Sequence, residues 1–222
     1  SKEKKNSLNV VRNIKVDIDQ ESGEISVYND GEGIDIAIHQ EHNIYVPELI
    51  FGNLLTSTNY DQDEEKITGG KNGYGAKLTN IFSRKFTIET VDSVRKKKFI
   101  QTYTDNMNNK EKPKVTKFSG KPYTKITFIP DYARFNLKGL DDSMFAIMKK
   151  RVYDIAACTD QIVTVEFNHK KIIYKNFEKY SELFLPDDYL KVYEKINERW
   201  EIVVATSNSD NFQQLSFVNG IS

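Results

Sequence analysis

Apolar and polar residues alternate twice near the start of the chain. Ile14, Val16 and Ile18 stand between polar neighbours, and Ile25 and Val27 repeat the pattern up to Asn29 after the turn-forming stretch Gln20 to Gly23. Period-two alternation on both sides of a polar turn predicts a β-hairpin with one buried face. The period then changes. Val46, Leu49, Ile50 and Leu54 recur at helical spacing, with Pro47 in the first turn where its missing N–H is harmless, so Val46 to Leu55 is predicted helical. Residues 56–72 are polar and carry no apolar period, a length of loop that suits a lid or a binding segment. Ala76, Leu78, Ile81 and Phe82 predict a short amphipathic helix opening directly from a glycine cluster.

Four runs rich in β-branched and aromatic residues follow, Phe86 to Thr90, Lys98 to Thr104, Lys114 to Phe118 and Thr124 to Ile129, and their polar separators suggest an antiparallel meander. Met144, Ile147, Met148, Val152 and Ile155 predict a helix over Asp141 to Ala157 that covers the sheet, behind an Asp-rich start able to cap it. Asn168-His169 reads as a hairpin turn between Ile162 to Phe167 and Lys171 to Tyr174, and Phe177 to Phe184 as a short helix before Pro186. Trp200 to Thr206 and Phe212 to Val218 look like strands of a further unit. A composition shift divides the chain near residue 180, into 1–180 and 181–222.

Composition narrows the function. Among 222 residues, 32 Lys plus Arg balance 32 Asp plus Glu, whereas a module living on phosphate backbones carries a basic surplus, so direct nucleic-acid binding is not favoured. Hydrophobic residues at 38% and aromatics at 12% suffice for a folded core. The single cysteine, Cys158, cannot form an internal bridge. No stretch approaches the ~20 apolar residues of a membrane span, and Ser1 to Asn6 lacks the apolar segment of a secretory signal. A soluble intracellular protein with no membrane partner is expected. Phe212 to Ser222 reads as an apolar strand that is then cut off, so the chain is expected to be a piece of a longer one.

The strongest chemical constellation is Gly69-Gly70-Lys71-Asn72-Gly73-Tyr74-Gly75-Ala76-Lys77. Glycines ahead of a helix start free backbone N–H groups to point at an anion, for which phosphate is the natural guest, and Lys77 adds a point charge in the first turn. It is no Walker A loop, because Ala76 follows the last glycine and Leu78 follows the lysine. A glycine-rich surface turn is the plainer alternative. Asn29-Asp30-Gly31-Glu32-Gly33 puts an amide and carboxylates at a strand end, suited to reading a base edge or, more plainly, to an Asx turn. Together the two loops suggest that one reads adenine while the other holds phosphates. His39, His42 and His169 have no third ligand at zinc-like spacing and read as surface or packing residues. The basic runs Arg95 to Lys98 and Lys149 to Arg151 read as solvated faces, and no catalytic triad is visible.

The stretches YNDGEGI at 28–34, IYVPELIFGNLLTSTNYD at 44–61 and TGGKNGYGAKLTNIFS at 68–83 resemble the ATPase region of eukaryotic-type DNA topoisomerase II. The resemblance continues through Lys150 to Ala156 and the closing FQQLSFVNGI, covering nearly all of the chain from Ile14 onward. It implies membership of the gyrase, Hsp90, histidine kinase and MutL group and an α/β Bergerat-type ATPase sandwich, with helices on a mixed, largely antiparallel sheet. Residues 1–180 would be the ATP-binding domain without its N-terminal helix, and 181–222 the start of a transducer domain.

The resemblance assigns Asn29 to the adenine side, Asp30, Gly31 and Gly33 to the pocket wall, and Ser57, Thr58 and Asn59 to ribose and phosphates. It wraps Gly70, Lys71, Asn72, Gly73, Tyr74, Gly75, Ala76 and Lys77 around the triphosphate. It further implies ATP with Mg²⁺, a nuclear parent enzyme that homodimerises at an ATP-operated gate for DNA strand passage, and DNA contacts in other domains. In the family an upstream helix supplies a Glu that activates water and an Asn that ligates Mg²⁺, and a transducer Lys reaches the γ-phosphate. None of the three lies in these 222 residues, so no catalytic residue or protein Mg²⁺ ligand is assigned and negligible hydrolysis by this chain alone is expected. A noncatalytic nucleotide-sensing module of the same fold is the alternative.

Overall fold

A computed structural model describes residues 10–53, 73–185, 189–197, 199–207, 210–218 and 220–222. The two alternating runs at the start form the expected hairpin, β1 (Asn13–Asp19) and β2 (Glu24–Asn29), in a register that sets Val16 opposite Val27 and Ile18 opposite Ile25. Two helices follow, α1 (Val46–Gly52) and α2 (Tyr74–Ile81). The middle of the chain supplies β3 (Ser83–Asp92), β4 (Lys97–Thr104), the two-residue β5 (Asn109–Lys110), β6 (Lys114–Lys117) and β7 (Tyr123–Pro130). Helix α3 (Asp142–Cys158), β8 (Thr164–Phe167), β9 (Lys170–Lys171) and α4 (Phe177–Ser181) complete this layer. A separate two-stranded sheet pairs β10 (Lys191–Lys195) with β11 (Glu201–Ala205).

The main sheet has nine strands in the order β5-β4-β3-β7-β2-β1-β8-β9, with β6 on β4. Every pairing is antiparallel except β1 with β8, so the sheet is mixed and largely antiparallel as expected. The meander expectation is corrected in one respect. After β6 the chain crosses back, and β7 lies between β3 and β2. A strand's own alternation identifies its buried face but not its neighbours, so order had to come from tertiary packing.

Register places Ile14, Val16, Ile18, Ile25, Val27, Ile126, Phe128, Phe86, Ile88, Phe99, Tyr103, Val165 and Phe167 on one face. Helices cover this face in two groups. Val152 and Ala156 of α3 pack with Val16, Ile18, Ile25, Val165 and Phe167, while Phe51 of α1 packs with Phe86, Ile88, Phe99 and Tyr103. The opposite face is polar and ion-paired, through Lys15 with Glu166 and Lys98 with Glu89. The architecture is thus a two-layer α/β sandwich.

Three further expectations change. The inward side of α2 is polar: Lys77 and Asn80 are buried, whereas Leu78 is 44% exposed. Asn80 Nδ2 donates to Phe51 O at 3.1 Å, satisfying a last-turn carbonyl that α1 leaves without an internal partner. On α3, Ile147 points to solvent while Val152 and Ala156 are buried. Phe212 to Val218 is not a strand; its backbone makes one bridge, Val218 with Ile221, and Phe217 instead packs its ring on Phe177 and Tyr180. The apolar positions 212, 215 and 217 to 218 break the period of two. Strand β10, by contrast, was missed.

Candidate functional site

The two apolar clusters on the covered face meet at Phe128 but leave one inward position on the central strand β2 uncovered. Val27, at the middle of β2 and on the inward face, keeps 39% of its surface exposed, although its neighbours along the strand and across the sheet lie in the clusters on either side. An exposed apolar residue on the core-facing side of a central strand marks a trough that the chain's own helices do not fill.

Asn29 stands two residues further along the same face. The registers align Ile14, Asn29, Thr124, Thr90 and Phe99 in one row across β1, β2, β7, β3 and β4. Thr90 is fully buried; its hydroxyl meets Thr124 Oγ1 at 3.0 Å, donates to Tyr123 O at 3.1 Å and accepts from Ile34 N–H at 3.0 Å. The row therefore sets the Asn29 amide and the Thr124 hydroxyl, the latter held by the saturated, buried Thr90, at one end of an otherwise apolar lane, a combination suited to the edge of a planar polar ligand. Thr90 and Thr124 were not singled out from the sequence, although a threonine continuing the Phe86, Ile88 lane was the available signal.

Asn29 Oδ1 accepts from Gly31 N at 3.1 Å, so the Asx turn is real and at the same time fixes the amide in the row. Asp30 points elsewhere. Its carboxylate accepts from Arg12 N and Asn13 N at 2.8 Å and from Asn13 Nδ2 at 2.6 Å, tying the segment ahead of β1 to the loop. Burial works against its charge, but the hydrogen bonds from Asn13 and Arg12 outweigh it, and its pKa is lowered. Gly33 adopts φ +77°, and a Cβ there would come 1.9 Å from Val91 O; only glycine lets this loop lie on the end of β3. Asp92 completes the support, its Oδ2 accepting from Ile36 N at 3.0 Å and its Oδ1 from Val94 N and Arg95 N at 2.9 Å.

The second glycine loop is described from Gly73 onward; Ser57, Thr58, Asn59, Gly70, Lys71 and Asn72 lie outside the described residues, as does the expected lid at 56–72. Gly73 caps α2 in the left-handed conformation, φ 66°. A Cβ on Gly75 would meet nothing within 4 Å among the described residues, so no described contact demands this glycine. Tyr74 and Ala76 flank it on the exposed first turn. Lys77 is 3% exposed, its Nζ donates to Gly73 O at 3.1 Å, and burial lowers its pKa. An ammonium is held here against the positive end of a helix, an arrangement that an anion at the N-terminus would relieve.

The basic runs are internally matched. Arg95 pairs with Asp35 and Asp92, Lys98 with Glu89, Lys150 with Asp154, and Arg151 donates to Gly220 O, so these members of the expected solvated faces are engaged within the chain. Among the described residues the grouping with metal-ligand spacing is His39, Glu41 and His42. The structure thus brings the Glu41 carboxylate beside the two histidines. These imidazoles do not suit Mg²⁺, which takes oxygen ligands. No helix among the described residues is long and apolar enough to cross a membrane.

No family model matches the chain. It is 54% identical over 213 residues to DNA topoisomerase 2 of Acanthamoeba polyphaga mimivirus, covering 94% of this chain and 17% of that protein. It is 53% identical over 212 residues to the probable DNA topoisomerase 2 of Dictyostelium discoideum, covering 94% and 14%. The chain therefore spans a small part of the length of the curated relatives it matches. In structure it is similar to the ATPase region of Saccharomyces cerevisiae topoisomerase II, with TM-score 0.90 and 48% identity over 95% of this chain and 56% of that one. The 43K ATPase domain of Thermus thermophilus gyrase B, at TM-score 0.59 and 17% identity over 88% of this chain and 50% of that one, shares the fold. A trough over Val27, a glycine loop locked on β3, a glycine-capped helix and this degree of identity agree: the chain belongs to the eukaryotic-type DNA topoisomerase II family, within its ATPase region.

Proposed function

We propose that the chain binds ATP in the trough over Val27, with adenine against the row formed by Asn29, Thr124 and Thr90 and the triphosphate at the N-terminus of α2. The observation that carries this reading is the exposure of Val27 on the inward face of a central strand, beside the place where the two clusters meet at Phe128. A flat aromatic base fills such a gap with apolar contact while its polar edge meets the Asn29 amide and the Thr124 hydroxyl, which the buried Thr90 holds in place. Asn29 reads the base, while Asp30, Gly31 and Gly33 shape the wall by holding the loop against Arg12, Asn13 and β3. Gly73, Tyr74, Gly75, Ala76 and Lys77 supply first-turn N–H donors and one ammonium to the phosphates, and Ser57, Thr58, Asn59, Gly70, Lys71 and Asn72 extend this contact.

Within the parent enzyme, nucleotide binding drives homodimerisation of an N-terminal gate for DNA strand passage, with DNA held by other domains, Mg²⁺ accompanying the triphosphate, and action in the nucleus. These steps extend a family membership that itself gives only the ATPase region of a topoisomerase II. A gate moves only if ATP binds the closed state more tightly than the open one. Residues 1–180 form the nucleotide-binding unit and 181–222 begin the transducer, a division supported by the change from the nine-stranded sheet to the pair β10–β11.

Calorimetry with a nonhydrolysable ATP analogue tests the reading. One site per chain is expected, weakened by Lys77→Ala without loss of fold. Unchanged affinity in a variant with normal melting would remove Lys77 from the site, and no binding to the native chain would overturn the proposal.

A further inference from the structure

We propose that His39, Glu41 and His42 form a binding site for a borderline divalent transition metal ion, zinc above all, separate from the nucleotide trough. One donor atom from each residue lies within 4.8 Å of the others, and the two imidazole rings are 5.1 Å apart between centroids.

The backbone carrying the three ligands is fixed. His39 N donates to Ile44 O at 2.8 Å and Asn43 N to His39 O at 2.9 Å, and Asn43 takes φ 57°. An antiparallel bridge between Ile38 and Tyr45 closes the base of this turn, and α1, anchored in the core by Leu49 and Phe51, begins at the next residue.

A second observation is independent of the spacing. His39 Nδ1 is buried and has no hydrogen-bond partner, and a buried ring nitrogen left unmatched is costly. A cation taken up through Nδ1 supplies the partner that this nitrogen lacks among the described residues. Tetrahedral zinc holds nitrogen and oxygen ligands at about 2.0–2.2 Å, which sets them roughly 3.3 Å from one another. The closure needed from 4.8 Å is a rotation of side chains, and Glu41 and His42 are exposed and free to make it.

The donor set selects the metal. Two imidazoles and one carboxylate suit zinc, nickel and copper, with copper bound most tightly in the general order of divalent affinities. Mg²⁺ demands octahedral oxygen and keeps its waters. Three protein ligands leave one position for solvent, and the ion would clamp the turn that links the Gly33 loop to α1.

Competition between the 222-residue chain and a chromogenic zinc chelator tests the site, with Co²⁺ absorption reporting coordination geometry. One Zn²⁺ per chain is expected, with tetrahedral Co²⁺ bands. His42→Ala and Glu41→Gln change exposed side chains and should keep the fold. Each should weaken Zn²⁺ by more than about tenfold, the loss that even an outer-sphere partner can cause. His169→Ala, whose ring faces Asp17 at 3.6 Å on another turn, should leave the affinity unchanged. Excess Mg²⁺ should not displace zinc. Absence of stoichiometric binding, or binding that His42→Ala and Glu41→Gln both leave intact, would overturn the proposal; displacement by Mg²⁺ would overturn the choice of metal.

Discussion

Gly33 and Gly75 belong to motifs that look alike in sequence and do opposite work in the fold. Gly33→Ala must give up φ +77° and bring a Cβ to 1.9 Å from a backbone oxygen, so a loss of at least about 1–3 kcal/mol is expected in urea unfolding. Gly75→Ala meets open space and gains helix propensity of up to about 1 kcal/mol. It should leave stability equal or higher while reducing ATP-analogue affinity, because the methyl occupies ground the phosphates would use. Equal effects of the two substitutions on stability would contradict these assignments.

Lys77 adds a pH dependence. Burial lowers its folded pKa below the ordinary 10.5, so its charged form is disfavoured in the folded state, and its contribution turns more favourable as pH rises from the lowered pKa toward 10.5. A bound triphosphate pulls the pKa back up. Nucleotide binding should therefore take up protons in that window, seen as a buffer-dependent heat in calorimetry, and Lys77→Met should abolish the uptake. Asp30 behaves in the opposite sense. Its lowered pKa contributes stability above the ordinary 3.8 that is lost as pH falls through the folded value. Asp30→Asn should cost about 1–3 kcal/mol at neutral pH, the range for hydrogen bonds to a charged group, and nearly nothing in strong acid. Asn29 and the glycines were legible from residue type; Asp30's grip on Arg12 and Asn13 was not, because a contact across 17 residues leaves no local trace.

At the scale of elements, what was readable had a strong period or a cap. The β1–β2 hairpin and α3 follow their apolar spacing, and Asp141 caps α3 by accepting from Met144 N at 2.7 Å. Asp141→Ala should lower stability by about 1 kcal/mol, measurable as a fall in the urea midpoint; no change would show that packing alone holds the helix start. The misread elements have physical reasons. Helix α2 buries Lys77 and Asn80 because its partner is the polar end of α1, and no apolar moment announces such a contact. The crossing of β7 between β3 and β2 depends on which edge the sheet offers, information that strand alternation does not carry. Asn80→Leu should accordingly destabilise α1, since Phe51 O loses its donor, despite adding apolar surface to a buried position.

The whole molecule is a sandwich whose helical layer is divided. Apolar clusters under α1 and under α3 meet at Phe128 and leave Val27 uncovered on the inward face, and this opening, visible only after strand order is known, is where the proposed nucleotide would lie. A ligand filling the trough would cover Val27. At a hundredfold excess over its dissociation constant it should add about 2.7 kcal/mol, roughly 5–10 °C in thermal midpoint for a chain of this size.

Mapping of methyl and amide NMR shifts on titration with a nonhydrolysable ATP analogue tests this arrangement most directly. The account predicts that the methyls of Val27 and Ile14 and the amides of Asn29 and Gly73 to Lys77 shift together with one affinity, while the methyls of Thr87, Thr102 and Thr127 on the opposite face stay in place. Shifts confined to that opposite face, or a saturable site that leaves Val27 unmoved, would contradict it.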